Sequence, residues 1–305
     1  MTWVTEYAET EPSVAIPAPA FEAYRELAGD FEVLDLSSVP SGTLWLSIKS
    51  HRLVEARFTA DDLRTVKVLR IISDSLRSLD LPQAPALEAL ELRCPSLAQL
   101  PPAPAWPRLK SLYIANAQFD HLPSTLGGAR LKKVFLGGCH HLTALPQDRS
   151  AWLAVRDLNL HGCGLASLPD WFQALSSLTH CSLAENRFAD PDALKPLWRC
   201  TSLKGLGLRL NGFHAVPEEI GELSQLKDLV IESNPIAALP GGLSGCAALE
   251  VLLMSYTKLS TIPPVLAALP KLKHVEAMGT GIRADDAKAF KKQHGLRTTF
   301  LAKNG

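Results

Sequence analysis

Two groups of side chains have the types to do chemistry. Cys139, His140, His141, His161 and Cys163 are thiols and imidazoles crowded into one stretch, the donor set that holds zinc. Asp157, His161 and Ser182 are the acid, base and nucleophile of a hydrolytic triad. Either chemistry requires its members to converge on one point, so the question becomes which elements carry them. No G-x-S-x-G elbow, Gly-rich Lys loop or H-E-x-x-H accompanies them, which removes the commonest settings for such groups.

The elements are repeats. Segments of the form L-x-x-L-x-L recur as Leu87-Leu90-Leu92, Leu109-Leu112-Ile114, Leu131-Val134-Leu136, Val155-Leu158-Leu160 and Leu178-Cys181-Leu183. They continue as Leu203-Leu206-Leu208, Leu226-Leu229-Ile231, Leu249-Leu252-Met254 and Leu272-Val275-Ala277, after a degenerate copy at Val66-Leu69-Ile71. That makes about ten copies, with starts 21 to 25 residues apart. Most are followed by a second apolar residue, such as Leu97, Phe119, Leu165, Phe188, Phe213, Ile236 or Leu259, and then by Leu-Pro or its equivalent, as at Leu168-Pro169 and Val216-Pro217. Self-similarity at this period is the mark of a solenoid. The alternating half is a short strand with one buried face. The residues between its leucines point outward, and no repeat is stable until the next one covers it.

These copies, spanning roughly 63–282, resemble the leucine-rich-repeat family. The resemblance implies an α/β solenoid, a right-handed horseshoe with a parallel concave sheet and terminal caps. The Leu-Pro-rich style is similar to that of bacterial members, some of which are effectors delivered into host cells. It implies a binding module without a cofactor, and it does not name the bound protein.

With strands assigned, the two chemical groups separate. Cys139 and Cys163 fall at the corner that follows a strand and point inward, whereas His161 points outward, so a shared metal is not expected. Asn186, Asn211 and Asn234 take the same corner, where an amide can bond neighbouring backbone, as do Thr257 and Thr280. Asp157, His161 and Ser182 become polar residues on a repeat surface, a common coincidence. Aromatic and arginine side chains are the usual interface anchors. Tyr113 and Phe135 are neighbouring aromatics on the outward face, beside Asn159 and small residues Ala115, Gly137, Gly138, Gly162, Ala184, Gly205 and Gly207. Asp157, His161, His180, Arg209 and Glu232 form the rim of this expected partner site. The alternative is that the two rings only cover each other across adjacent strands.

The ends read as caps. Residues 1–62 are expected to hold a short helix over Phe21–Ala28 and a hairpin made from Phe31–Leu36 and Thr43–Ile48. Residues 283–305 are expected to supply a helix over Ala284–His294, stopped by Gly295, and a last strand over Thr298–Leu301. Pro217–Leu223 reads as a helical turn with proline near its first position. Pro101–Pro104 reads as extended polyproline.

Composition supports a folded chain. It is 47% hydrophobic, with 31 basic and 31 acidic residues. The balance argues against nucleic acid, and no run approaches the roughly 20 apolar residues of a membrane span. Six dispersed cysteines fit free thiols in a reducing compartment. The expectation is a cytoplasmic protein, monomeric by itself, or one exported by a specialised secretion system, that grips a protein partner on its concave face. Two alternatives are an intracellular regulator or toxin-neutralising partner, and a hydrolase using His161, Asp157 and Ser182.

Overall fold

The computed structural model describes residues 23–36, 39–101, 106–124, 126, 128–294 and 297–299. They fall into two compact units that divide between Gly164 and Leu165. Each is a stack of coils in which every coil adds one strand to a parallel sheet.

In the N-terminal unit the strands are β1 (Tyr24–Ala28), β2 (Trp45–Lys49), β3 (Glu55–Arg57), β4 (Val68–Ile72), β5 (Ser78–Asp80), β6 (Ala89–Arg93), β7 (Ser111–Ala115), β8 (Lys133–Gly137) and β9 (Asp157–Asn159). All but β3 and β5 pair in chain order, parallel and in register. β3 and β5 form a separate parallel pair. The period-two pattern explains the burial. Leu69, Ile71, Leu90, Leu92, Leu112, Ile114, Val134 and Leu136 all point inward and are buried. Each contributes about 1.5–3 kcal/mol through the area it removes from water.

The C-terminal unit contains β10 (His180–Ser182), β11 (Gly205–Gly207), β12 (Asp228–Val230), β13 (Val251–Leu253), β14 (His274–Glu276), helix α1 (Ala284–His294) and β15 (Arg297–Thr299). The strands pair in parallel in this order. The chain returns between strands through 3-10 turns, among them Asp170–Ala174, Glu218–Glu222, Gly241–Gly245 and Pro264–Ala268. Pro169, Pro217, Pro240 and Pro263 stand in extended conformation just before these turns. A residue lacking an N–H loses nothing there. Helix α1 covers the range expected of it.

Leaving the strand is the harder problem, because the backbone must turn while its polar groups go into the core. The solution repeats. Asn116, Gly138, Gly162, Glu185, Leu210, Ser233, Tyr256 and Gly279 all have left-handed backbone, with φ between 54° and 70°. Each immediately precedes a corner residue. Where that residue is asparagine, its amide closes the accounts. Asn211 Nδ2 donates to the carbonyls of Leu183 (2.9 Å) and Leu208 (3.0 Å), and its Oδ1 accepts from Asn186 N–H (3.2 Å). Asn234 repeats this one coil later, donating to Leu208 and Ile231 and accepting from Asn211 N–H at 2.9 Å. Thr257 and Thr280 donate only to the carbonyl three residues back, Met254 and Ala277. Early coils use a short donor placed one residue sooner: Ser50, Ser73 and Cys94 bond the carbonyls of Phe31, Leu53 and Ile71.

The N-terminal expectation needs correction. Tyr24–Ala28 is a strand, not a helix, and it pairs with β2 in parallel, so no hairpin forms. Phe31–Leu36 makes only a parallel bridge, from Val33 to Glu55. Cross-strand contacts outrank the helical propensity of Tyr-Arg-Glu-Leu-Ala. The Tyr24 ring meets Trp45 edge-on at 5.8 Å, and Lys49 pairs with Glu26 at 2.8 Å. Phe21, Pro102–Pro104, Gly295 and Leu301 lie outside the described residues.

Removing a corner amide leaves several buried groups without partners, each costing about 1–3 kcal/mol. Asn211→Ala is therefore expected to destabilise the chain by about 2–4 kcal/mol. Urea unfolding followed by circular dichroism measures this, and an unchanged midpoint would show that the amide is dispensable.

Candidate functional site

Outward strand positions carry the candidate residues. On the N-terminal unit, register sets Glu91 beside Tyr113, Tyr113 beside Phe135, and Phe135 beside Asn159. Strands lie only about 4.8 Å apart, so flat side chains in one column must stack. The rings of Tyr113 and Phe135 are parallel within 3° and 4.4 Å apart. The Arg93 guanidinium lies 5.2 Å from the centre of the Tyr113 ring, within cation–π range.

This packing changes the expectation for Tyr113. It is 2% exposed, whereas Phe135 is half-buried. The aromatic available at the surface is therefore Phe135, with Tyr113 as its support. Phe135 also leans along its own strand, and a Cβ on Gly137 would sit 2.4 Å from its ring. Gly137 is thus a seat for the ring. Gly138 and Gly162 serve the left-handed corner, with φ of 70° and 64°, and are not part of a lowered surface.

Asn159 is 1% exposed, and its Oδ1 accepts from the N–H of His161 at 2.9 Å. Its Nδ2 is buried without a hydrogen-bond partner. Asp157 and His161 are half-buried on either side of it.

The remaining members, His180, Arg209 and Glu232, belong to the C-terminal unit and are half-buried there. His180 and Asp228 occupy the same column, with only Gly205 between them. Burial and the charge of Glu250 raise the Asp228 carboxyl above its ordinary value, against the opposing pull of His180 and Lys227. Two features here were not singled out from sequence. One is Asp228. The other is an outward-facing apolar cluster of Val230, Val251 and Leu253. Their β-branched and leucine side chains were visible, but their alignment across β12 and β13 depends on register.

The thiol and imidazole group does not assemble. Cys139 and Cys163 are buried, and Cys163 Sγ donates to the carbonyl of Leu136 at 2.9 Å. Burial pushes the Cys139 thiol up to about 11 and that of Cys163 higher still, so both keep their protons. His140 and His141 are exposed. Among the described residues, no group of three or more His, Cys, Asp or Glu can hold a metal. Ser182 is buried in the C-terminal unit, while Asp157 and His161 belong to the other.

Parallel strands stacked at one per coil, with ladders of corner side chains, define a leucine-rich-repeat solenoid protein. The comparisons agree. The human leucine-rich repeats and immunoglobulin-like domains protein 3 is 28% identical over 207 residues, covering 66% of this chain and 16% of that protein. The chain therefore spans a small part of this relative. An internalin from Listeria monocytogenes has a similar structure, with a TM-score of 0.60 and 14% identity over 85% of this chain and 78% of that one. The leucine-rich-repeat domain of the type III effector XopL aligns with a TM-score of 0.55 and 21% identity, covering 64% of this chain and 69% of that domain. No family model matches the chain. The chain thus shares its fold with these bacterial repeat proteins. Among the described residues no helix is long and apolar enough to cross a membrane.

Asp228 supplies a test of the face electrostatics. Its folded value lies above the unfolded one, so protonation favours the native state and stability rises as pH falls through the folded value. Ionised at neutral pH, the group opposes folding. Asp228→Asn should raise the melting temperature at pH 7, with the gain shrinking toward pH about 4. A gain independent of pH, or a loss at pH 7, would refute the assignment.

Proposed function

We propose that this chain is a non-catalytic interaction module that holds a protein partner on the outer face of its strands. Its finer role is that of a bacterial effector occupying a host protein. The observation that carries the reading is the Tyr113–Phe135 stack, an aromatic surface seated on Gly137 and braced on one side by Arg93. A side chain already fixed in one orientation loses little freedom on binding. Large aromatic residues in such settings are the usual energetic centres of interfaces. Asp157, Asn159 and His161 flank the stack on the β9 side of the same unit. His180, Arg209 and Glu232 offer a second polar set on the other.

The fold supports the effector role by analogy, since the same architecture serves as the repeat domain of a type III effector. Balanced charge, 31 basic against 31 acidic residues, supports a protein partner over nucleic acid.

Affinity capture with mass spectrometry identifies the partner, and calorimetry then measures the face. Tyr113→Ala with Phe135→Ala should weaken binding by about 2 kcal/mol or more. Phe135→Ala alone should account for much of this and leave the melting temperature nearly unchanged, because its ring is the half-exposed one. Unchanged affinity in both variants would place the contact elsewhere.

A further inference from the structure

We propose that Arg108, Lys110, Arg130, Lys132 and Lys133, where the chain enters β7 and β8, form a docking surface for an acidic, extended segment of a protein partner. The proposal rests on the interaction-module reading for the ligand being a protein, and it adds a second contact beside the Phe135 face.

The repeat places these cations together. Lys110 and Lys132 stand just ahead of their strands, and Arg108 and Arg130 come two residues earlier. Lys133 opens β8, in register with Ser111. Backbone bonds fix this edge from coil to coil. Lys110 N–H donates to the Glu88 carbonyl at 2.9 Å, Lys132 N–H to the Lys110 carbonyl at 2.7 Å, and Arg156 N–H to the Lys132 carbonyl at 2.8 Å. Equivalent residues of successive coils are therefore held at strand spacing, about 4.8 Å. Two rows of basic residues run side by side along the edge, and all five are exposed.

The charge there is one-sided. Five acids lie in the same stretch, residues 87–157. Glu91 accepts from Arg93, Asp120 pairs with His121, and Asp148 accepts from Ser150. Glu88 and Asp157 are the acids beside the rows, Glu88 paired with Lys110 at 2.8 Å and Asp157 in register with Lys133. Two carboxylates do not balance five cations. The hydrogen bond from Lys110, and then the charges of Lys110, Lys67 and Arg108, hold the Glu88 carboxyl below its ordinary value against its partial burial.

Like charges on neighbouring strands destabilise a sheet. The fold gains nothing from these rows that glutamine or serine would not provide, so their use lies in a ligand that brings the opposite charge. An extended peptide laid across the coils presents one set of side chains every ~6.7 Å. Long, flexible lysine stems take up the difference from strand spacing. Leu153 is 42% exposed on the next coil's approach to β9 and offers an apolar contact to such a peptide. Nucleic-acid binders carry a basic excess, whereas this chain has 31 basic and 31 acidic residues. The tryptophans of these coils, Trp106 and Trp152, are fully buried and give a base no platform.

The test uses the full chain and a short fluorescein-labelled oligoglutamate peptide, with binding read by fluorescence anisotropy. Oligoglutamine of equal length should not bind. Raising sodium chloride from about 50 mM to about 300 mM should weaken oligoglutamate binding, because the charges are exposed and screened. Arg130→Gln with Lys132→Gln should weaken it about tenfold or more. The same variant should keep or raise the melting temperature, since repulsion is relieved. Lys291→Gln with Lys292→Gln removes an equal charge from exposed positions on α1 and should change binding by less than about twofold.

The proposal is overturned if the folded Arg130 and Lys132 variant binds like the parent, or if the α1 variant loses as much. A loss of binding that comes only with a lower melting temperature marks a structural row and overturns it too. So does binding of single-stranded oligothymidylate or of phosphatidylserine vesicles without binding of oligoglutamate. Phe135→Ala, the variant that tests the interaction module, should leave oligoglutamate binding within about twofold, so the two readings can fail separately.

Discussion

Each coil must carry polar backbone out of a strand and through a corner that the next coil will bury. A buried, unpaired carbonyl or N–H costs about 1–3 kcal/mol, and every coil multiplies that cost. The left-handed residue before the corner solves the geometry, and the corner side chain solves the hydrogen bonding. Leu210 and Tyr256 show how strong the demand is. Both hold left-handed backbone, which disfavours residues with a Cβ by about 1–2 kcal/mol, and both remain exposed. The stack tolerates this because the N–H of each still joins the ladder, Leu210 to Glu232 and Tyr256 to Met278.

The two units meet this demand differently. Asparagine spans two coils, because its amide donates to one carbonyl behind and one in its own coil, as Asn211 does for Leu183 and Leu208. A serine hydroxyl reaches one carbonyl, as Ser73 reaches Leu53. The coils of Ser73 and Cys94 have five-residue strands, whereas those of Asn211 and Asn234, like those of Thr257 and Thr280, have three-residue strands.

Repeats were legible because period two and a spacing of 21 to 25 residues both survive in the sequence. The inward leucines, the corner asparagines and the turn after Pro217 followed from that pattern alone. The first coil was not legible. Tyr24 and Leu27 are three apart among Arg, Glu and Ala, which is helical spacing with helical propensity, and only β2 makes it a strand. The small β3–β5 pair was missed for a similar reason, since Glu-Ala-Arg and Ser-Leu-Asp carry one apolar residue each. On the face, alternation told which residues point outward but not which are covered. Tyr113 is covered because a ring cannot stand alone between strands so closely spaced. Glu91 and Asp228 were visible as charges, but Arg70 beside the one, and Glu250 and His180 near the other, stand more than twenty positions away.

A parallel sheet face of this kind is therefore only partly a surface. Columns of side chains at strand spacing bury one another, and polar groups caught among them are partly desolvated. Glu91, Asn159 and Ser182 point outward and are nevertheless buried. Such groups cannot relax into new positions when a partner arrives, so their orientation is set at folding. That rigidity has an energetic use. The desolvation of these polar groups is largely complete before binding, and a partner with matching groups gains contacts without that cost. A mismatched partner gains little, because it covers fixed polar groups such as Asn159 without meeting them. The repeat core fixes where each outward group stands, and selectivity arises from what those fixed groups cannot accommodate.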